Sequence, residues 1–128
     1  MEKRYYLGDF DCWVSDKDWD SGSVVVNFQL AKDTPEPELI WAVYGGGSYD
    51  GSAEVIYRQD GKWYHVNGSH CSCYGLAGQW EPESFDPQLH FQALEQGKRI
   101  ADVQSSYYSW DGSSNERFDD WLRWAVEQ

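Results

Sequence analysis

Ala53-Glu54-Val55-Ile56-Tyr57-Arg58-Gln59-Asp60-Gly61-Lys62-Trp63-Tyr64-His65-Val66 sets two runs of strand-forming residues about a single Asp-Gly dipeptide. Asp-Gly suits a two-residue type I′ turn, because both central residues then need positive φ. That turn fixes the pairing of everything around it. Tyr57 falls opposite Tyr64 and Val55 opposite Val66. These four share one face, taken as the core face. Ile56, Arg58, Trp63 and His65 share the other, which makes His65 a surface residue unless a partner covers that face.

Upstream, Val24, Val26, Phe28 and Leu30 alternate with Val25, Asn27 and Gln29, the pattern of a half-buried strand over residues 22–31. Asp33-Thr34-Pro35-Glu36-Pro37 ends it, since proline supplies no ladder donor. Leu39 to Tyr44 is apolar and aromatic, a second strand. Downstream the period changes. Asp86-Pro87 opens a helix over residues 86–97: Asp86 caps free amides, Pro87 loses nothing at the first position, and Gly97 closes it in a left-handed conformation. Leu89, Ala93 and Gln96 run down one side of it. A second helix covers 113–127, with Ser113 and Glu116 in a capping-box pattern. Phe118, Trp121, Leu122 and Ala125 form its apolar stripe, and Asp119, Asp120, Arg123 and Glu127 face water. Strands over 1–80 followed by helices predict one α+β domain over 1–128. Its expected core is an antiparallel sheet of about four or five strands, with both helices on one face and the other face open to solvent or a partner.

The chain has 128 residues, 17% of them aromatic, enough to build a core without staples. Acidic residues outnumber basic ones 22 to 10, a formal charge of −12. Such a charge repels nucleic acid and anionic membranes, so neither is an expected partner. It suits a basic protein surface, and it also aids solubility. Met1-Glu2-Lys3-Arg4-Tyr5-Tyr6 lacks the apolar core of a signal peptide, and Cys12, Cys71 and Cys73 are an odd number of thiols. The expectation is a cytoplasmic protein with reduced cysteines.

Three segments bear on function. Asp9, Asp11, Asp16, Asp18 and Asp20 crowd a stretch with Lys17 as its one cation and with Phe10, Trp13 and Trp19 interleaved. Carboxylates along an extended segment can stand where DNA phosphates stand, and Trp13 and Trp19 could anchor the contact. The other reading is a solvated loop with core aromatics. An EF-hand is excluded, because counting from Asp16 puts Ser21 and Asn27 where glycine and glutamate are required. Gly68-Ser69-His70-Cys71-Ser72-Cys73-Tyr74-Gly75 is rich in metal ligands and thiols. His70, Cys71 and Cys73 supply three zinc ligands, and Cys12 or His90 would have to supply a fourth. Cys-x-Cys is tighter than zinc-finger spacing and no second pair follows, so buried apolar thiols are expected and no cofactor is assigned. A thiol nucleophile would need His65, His70 or His90 brought beside it by the fold. Gly45-Gly46-Gly47-Ser48-Tyr49-Asp50-Gly51-Ser52 lacks the Gly-Lys-Ser/Thr ending of a P-loop and fits a hairpin tip.

Residues 53–64 together with Gly68-Ser69-His70-Cys71-Ser72-Cys73-Tyr74-Gly75-Leu76-Ala77-Gly78-Gln79-Trp80-Glu81-Pro82 resemble a group of small, uncharacterised phage and prophage proteins. The resemblance covers about the central quarter to third of the chain and implies a phage-type context in a host cytoplasm. By analogy of size and charge it suggests inhibitors of host defence nucleases, including anti-CRISPR proteins and other DNA mimics. The expected function is therefore a non-enzymatic acidic protein. It would inhibit or modulate a host nucleic-acid-binding protein by entering its basic groove through Asp9, Asp11, Trp13, Asp16, Asp18, Trp19 and Asp20. The alternatives are a zinc- or thiol-dependent enzyme built on His70, Cys71 and Cys73, and a virion or assembly component.

Overall fold

In the computed structural model, which describes residues 3–8, 28, 30, 34–35, 37–46, 50–71, 78–97 and 113–128, the protein is α+β. The strands are β1 (Arg4–Gly8), β2 (Leu39–Gly46), β3 (Asp50–Gln59), β4 (Lys62–Cys71) and β5 (Glu83–Ser84). Among the described residues the helices are α1 (Pro87–Glu95) and α2 (Ser113–Ala125). The five strands form one sheet in sequence order, β1-β2-β3-β4-β5.

The β3–β4 hairpin forms as its turn dictates. Asp60 and Gly61 have φ of 54° and 76°, and Tyr57 pairs with Tyr64 and Val55 with Val66. The register runs without a bulge from Gln59–Lys62 to Asp50–Cys71. Glu38 secures the tip, its carboxylate accepting from Arg58 Nε at 3.0 Å and from the Gly61 amide at 3.4 Å. Arg58 Nη1 also donates to the Ala125 carbonyl at 3.4 Å, a cation on the negative end of α2.

The sheet is mixed, which corrects the all-antiparallel expectation. β1 runs parallel to β2, with Tyr5 beside Trp41, while the remaining pairs are antiparallel. Parallel neighbours need a long crossover, and residues 9–38 provide it. Of the strand expected over residues 22–31, only Phe28 and Leu30 lie among the described residues; Phe28 has helical backbone and Leu30 lies in no strand. At Phe28, packing against the sheet and Trp80 outweighs the two-residue period of the local sequence.

The second correction concerns the faces. β2 is apolar on both sides: Leu39, Trp41 and Val43 point to one face and Ile40 and Ala42 to the other, all buried. The first face packs on Ile56, Phe85 and the α2 stripe of Phe118, Trp121, Leu122 and Ala125, with Trp63 at its margin. The second carries Ala53, Val55, Tyr57 and Val66 under Phe28, Leu30 and Trp80. The helices thus cover the Ile56 face, and the hairpin face expected to be the core is a second core. A strand apolar on both faces is the mark of a sheet buried on both sides.

α1 starts where expected. Asp86 Oδ1 accepts from the Gln88 amide at 2.9 Å, Pro87 occupies the first turn, and Gly97 has φ of 75°. Its buried face differs from the Leu89 side, since Leu89 is half exposed while His90 is fully buried.

Candidate functional surface

Asp9, Asp11, Trp13, Asp16, Asp18, Trp19 and Asp20 lie outside the described residues, as does Cys73. His70 and Cys71 are placed by backbone alone, opposite Gly51 and Asp50 at the end of β4. Six residues of strand separate the Cα atoms of His65 and Cys71 by roughly 20 Å, so His65 cannot activate that thiol. His90 is turned to other partners: its ring packs on Phe85, Phe91 and Phe118 at 5.7, 5.9 and 5.4 Å. Among the described residues no group of three His, Cys, Asp or Glu could hold a metal ion.

The described residues instead present an acidic sheet edge. Glu81, Glu83 and Asp86 are all exposed, within six residues that run from the approach to β5 into the α1 cap. Glu83 pairs in register with His65 and Ser84 with Tyr64. Phe85 then anchors the chain, its amide donating to the Trp63 carbonyl at 3.0 Å and its ring buried in the helix-side core. Carboxylates two residues apart on an extended chain stand roughly 7 Å from each other, comparable to neighbouring phosphates on an extended nucleic-acid strand. Pro82 stands between them and has no N–H, so the outer rim of this edge offers charge rather than a ladder for another strand. Asp120, Glu116, Glu95 and Glu127 add exposed carboxylates on the helices. The sequence signal for the edge was Glu81-Pro82-Glu83, the same alternate spacing as Asp16, Asp18 and Asp20. It is easily passed over because the strand that positions it is two residues long.

Behind this edge, two histidine–carboxylate pairs flank Phe85. His65 Nε2 lies 2.5 Å from Glu54 Oε2, with both side chains about one-fifth exposed. His90 Nε2 lies 3.4 Å from Asp119 Oδ1, with His90 fully enclosed. His65 was expected at the surface. It sits half-buried, because its face is the one the helices cover, 6.4 Å from the Phe85 ring. The hairpin register already sets Glu54 diagonal to His65 on one face. Each pair ties two elements together, β3 to β4 and α1 to α2, and both brace the root of the acidic edge.

On the opposite face, Tyr57 stacks between Tyr64 at 5.2 Å and Trp80 at 5.6 Å. Burial raises the Tyr57 phenol pKa to about 12, and Tyr64 adds to the shift. The rings of this stack are mutually engaged, and Phe28 meets Trp80 edge-on at 5.1 Å. These rings belong to the second core. No helix among the described residues is long and apolar enough to cross a membrane.

Comparison of the chain with family models, with characterised proteins and with solved structures finds no match to any of them.

Proposed function

We propose that this protein is an acidic binding module that occupies the basic groove of a nucleic-acid-binding protein and thereby inhibits or modulates it. The carrying observation is the edge Glu81-Pro82-Glu83 with Asp86: three exposed carboxylates, Glu81 and Glu83 at phosphate-like alternate spacing, on a segment anchored at Phe85. The net charge of −12 gives the same sign to the long-range field, which speeds encounter with a cationic partner. Asp9, Asp11, Asp16, Asp18 and Asp20 repeat the alternate spacing and extend the same surface chemistry in this reading, with Trp13 and Trp19 as anchors. The context is a phage-type protein acting in a host cytoplasm, with a defence nuclease as the leading kind of target.

The experiment is a pull-down from nuclease-treated host lysate. Wild type is compared with a variant carrying Glu81→Lys, Glu83→Lys and Asp86→Lys, and with one carrying Asp16→Lys, Asp18→Lys and Asp20→Lys. A basic nucleic-acid-binding protein captured by wild type and lost from either variant supports the proposal. Capture that survives both reversals removes it.

A further inference from the structure

We propose that residues 79–82 are a strap with two positions, the one observed and a closed one in which β5 lengthens from two residues to six. The register that pairs His65 with Glu83 and Tyr64 with Ser84, continued outward, sets Glu81 opposite Asn67 and Gln79 opposite Ser69. The chain keeps this register without making the ladder. Gln79 meets Ser69 through its side chain: Oε1 accepts from the Ser69 amide at 2.9 Å, and Nε2 donates to the Ser69 carbonyl at 2.6 Å. The carboxamide thus makes the two bonds a strand residue would make with its main chain, from one side-chain length further out. No backbone bond joins Asn67 to Glu81 between these anchor points, and Asn67 is exposed.

The faces are already those of a strand. Trp80 packs on the Tyr57 side of the sheet and Phe85 on the helix side, as alternation from β5 requires. Closure therefore needs an inward shift without a flip, whereas a slip by one residue would reverse every side chain. Pro82 does not obstruct it, because in this register its nitrogen faces away from β4. The observed position keeps two carboxamide bonds. The closed position makes main-chain bonds at both Ser69 and Asn67, and it also brings Glu81 into line with Asn67 beside Glu83. Glu81 and Glu83 share a face in both positions, so their repulsion does not favour either one, and the Gln79 carboxamide is the contact that holds Ser69 in the observed position.

The strap carries Glu81, so its position sets how firmly the acidic edge is held. The test below reads the strap alone and stands whether or not the edge binds a basic protein. Amide hydrogen exchange is followed by NMR in wild type and in Gln79→Ala, with the Tyr64 and Val66 amides reporting that the hairpin is intact. Without the carboxamide, the main chain of residues 79–81 closes on β4, and Asn67 exchange slows by at least about tenfold. Gln79→Asn keeps both bonding groups on a stem one methylene shorter. It draws the strap inward with the same sign of effect, and serves if Gln79→Ala does not fold. Asn67 exchange that is unchanged or faster overturns the proposal, because the strap has then merely come loose.

Discussion

Trp121 and Trp124 lie one turn apart on α2, and replacing each by alanine separates burial from everything else the helix contributes. Both changes have the same effect on helix propensity, and neither side chain carries charge. Trp121 is fully buried against Trp41, Trp63 and Phe118, with ring centroids 5.9, 6.0 and 6.3 Å away. A buried tryptophan removes about 200 Å² from water, worth about 5 kcal/mol at 25 cal/mol per Å². Partial collapse of the unfolded chain lowers that figure, which leaves an expected loss of about 3–5 kcal/mol for Trp121→Ala. Trp124 is only partly buried at the rim of the same cluster and should cost about 1–2 kcal/mol. Urea denaturation followed by far-UV circular dichroism measures both. With a slope near 2 kcal/mol per M, the Trp121 midpoint falls by about 2 M and the Trp124 midpoint by less than about 1 M. Equal losses, or a Trp121 loss under about 1 kcal/mol, would refute the claim that α2 closes the Ile56 face of the sheet.

Gly61→Ala isolates backbone strain, because a Cβ there meets nothing within 4 Å while φ stays at +76°. The expected cost is about 1 kcal/mol, read from the same denaturation curves. A double-mutant cycle on Glu54 and His65, with each replaced by alanine, should give a coupling of about 0.5–1.5 kcal/mol; values near zero would make the 2.5 Å contact irrelevant in solution. Tyr57 supplies a pH dependence. Its phenol ionises near 10 in the unfolded chain and near 12 in the folded one, so the folded state holds the extra proton between these values. Its contribution is intact below pH 10 and is lost as pH rises through 12, by on the order of 2–3 kcal/mol. Tyr57→Phe should abolish that part of the alkaline loss in denaturation series at pH 9 and above.

The legible parts of the fold are those fixed by local chemistry. Asp60-Gly61 alone determines ten cross-strand pairs, because a two-residue turn admits one register. Asp86-Pro87 and Gly97 bound α1, and the spacing of Phe118, Trp121, Leu122 and Ala125 names the buried stripe of α2. What escaped reading depends on distant partners. Residues 22–31 alternate like a strand, yet Phe28 is helical and serves as part of the second core. The parallel β1–β2 pair leaves no local mark, since nothing in Arg4–Gly8 states its direction. His90 looked available as a ligand, but Phe85 and Phe91 on one side and Phe118 on the other enclose it. The acidic edge was legible in Glu81-Pro82-Glu83 as composition. Its exposure and its anchoring at Phe85 required the sheet.

The central claim is that the acidic surface stands in for nucleic acid. Its most direct test is competition between duplex DNA and this protein for the basic partner recovered from lysate, measured by fluorescence anisotropy at several salt concentrations. The account predicts mutually exclusive binding, with affinity falling steeply as salt rises. A partner that holds DNA and this protein together, with affinity indifferent to salt, would contradict it.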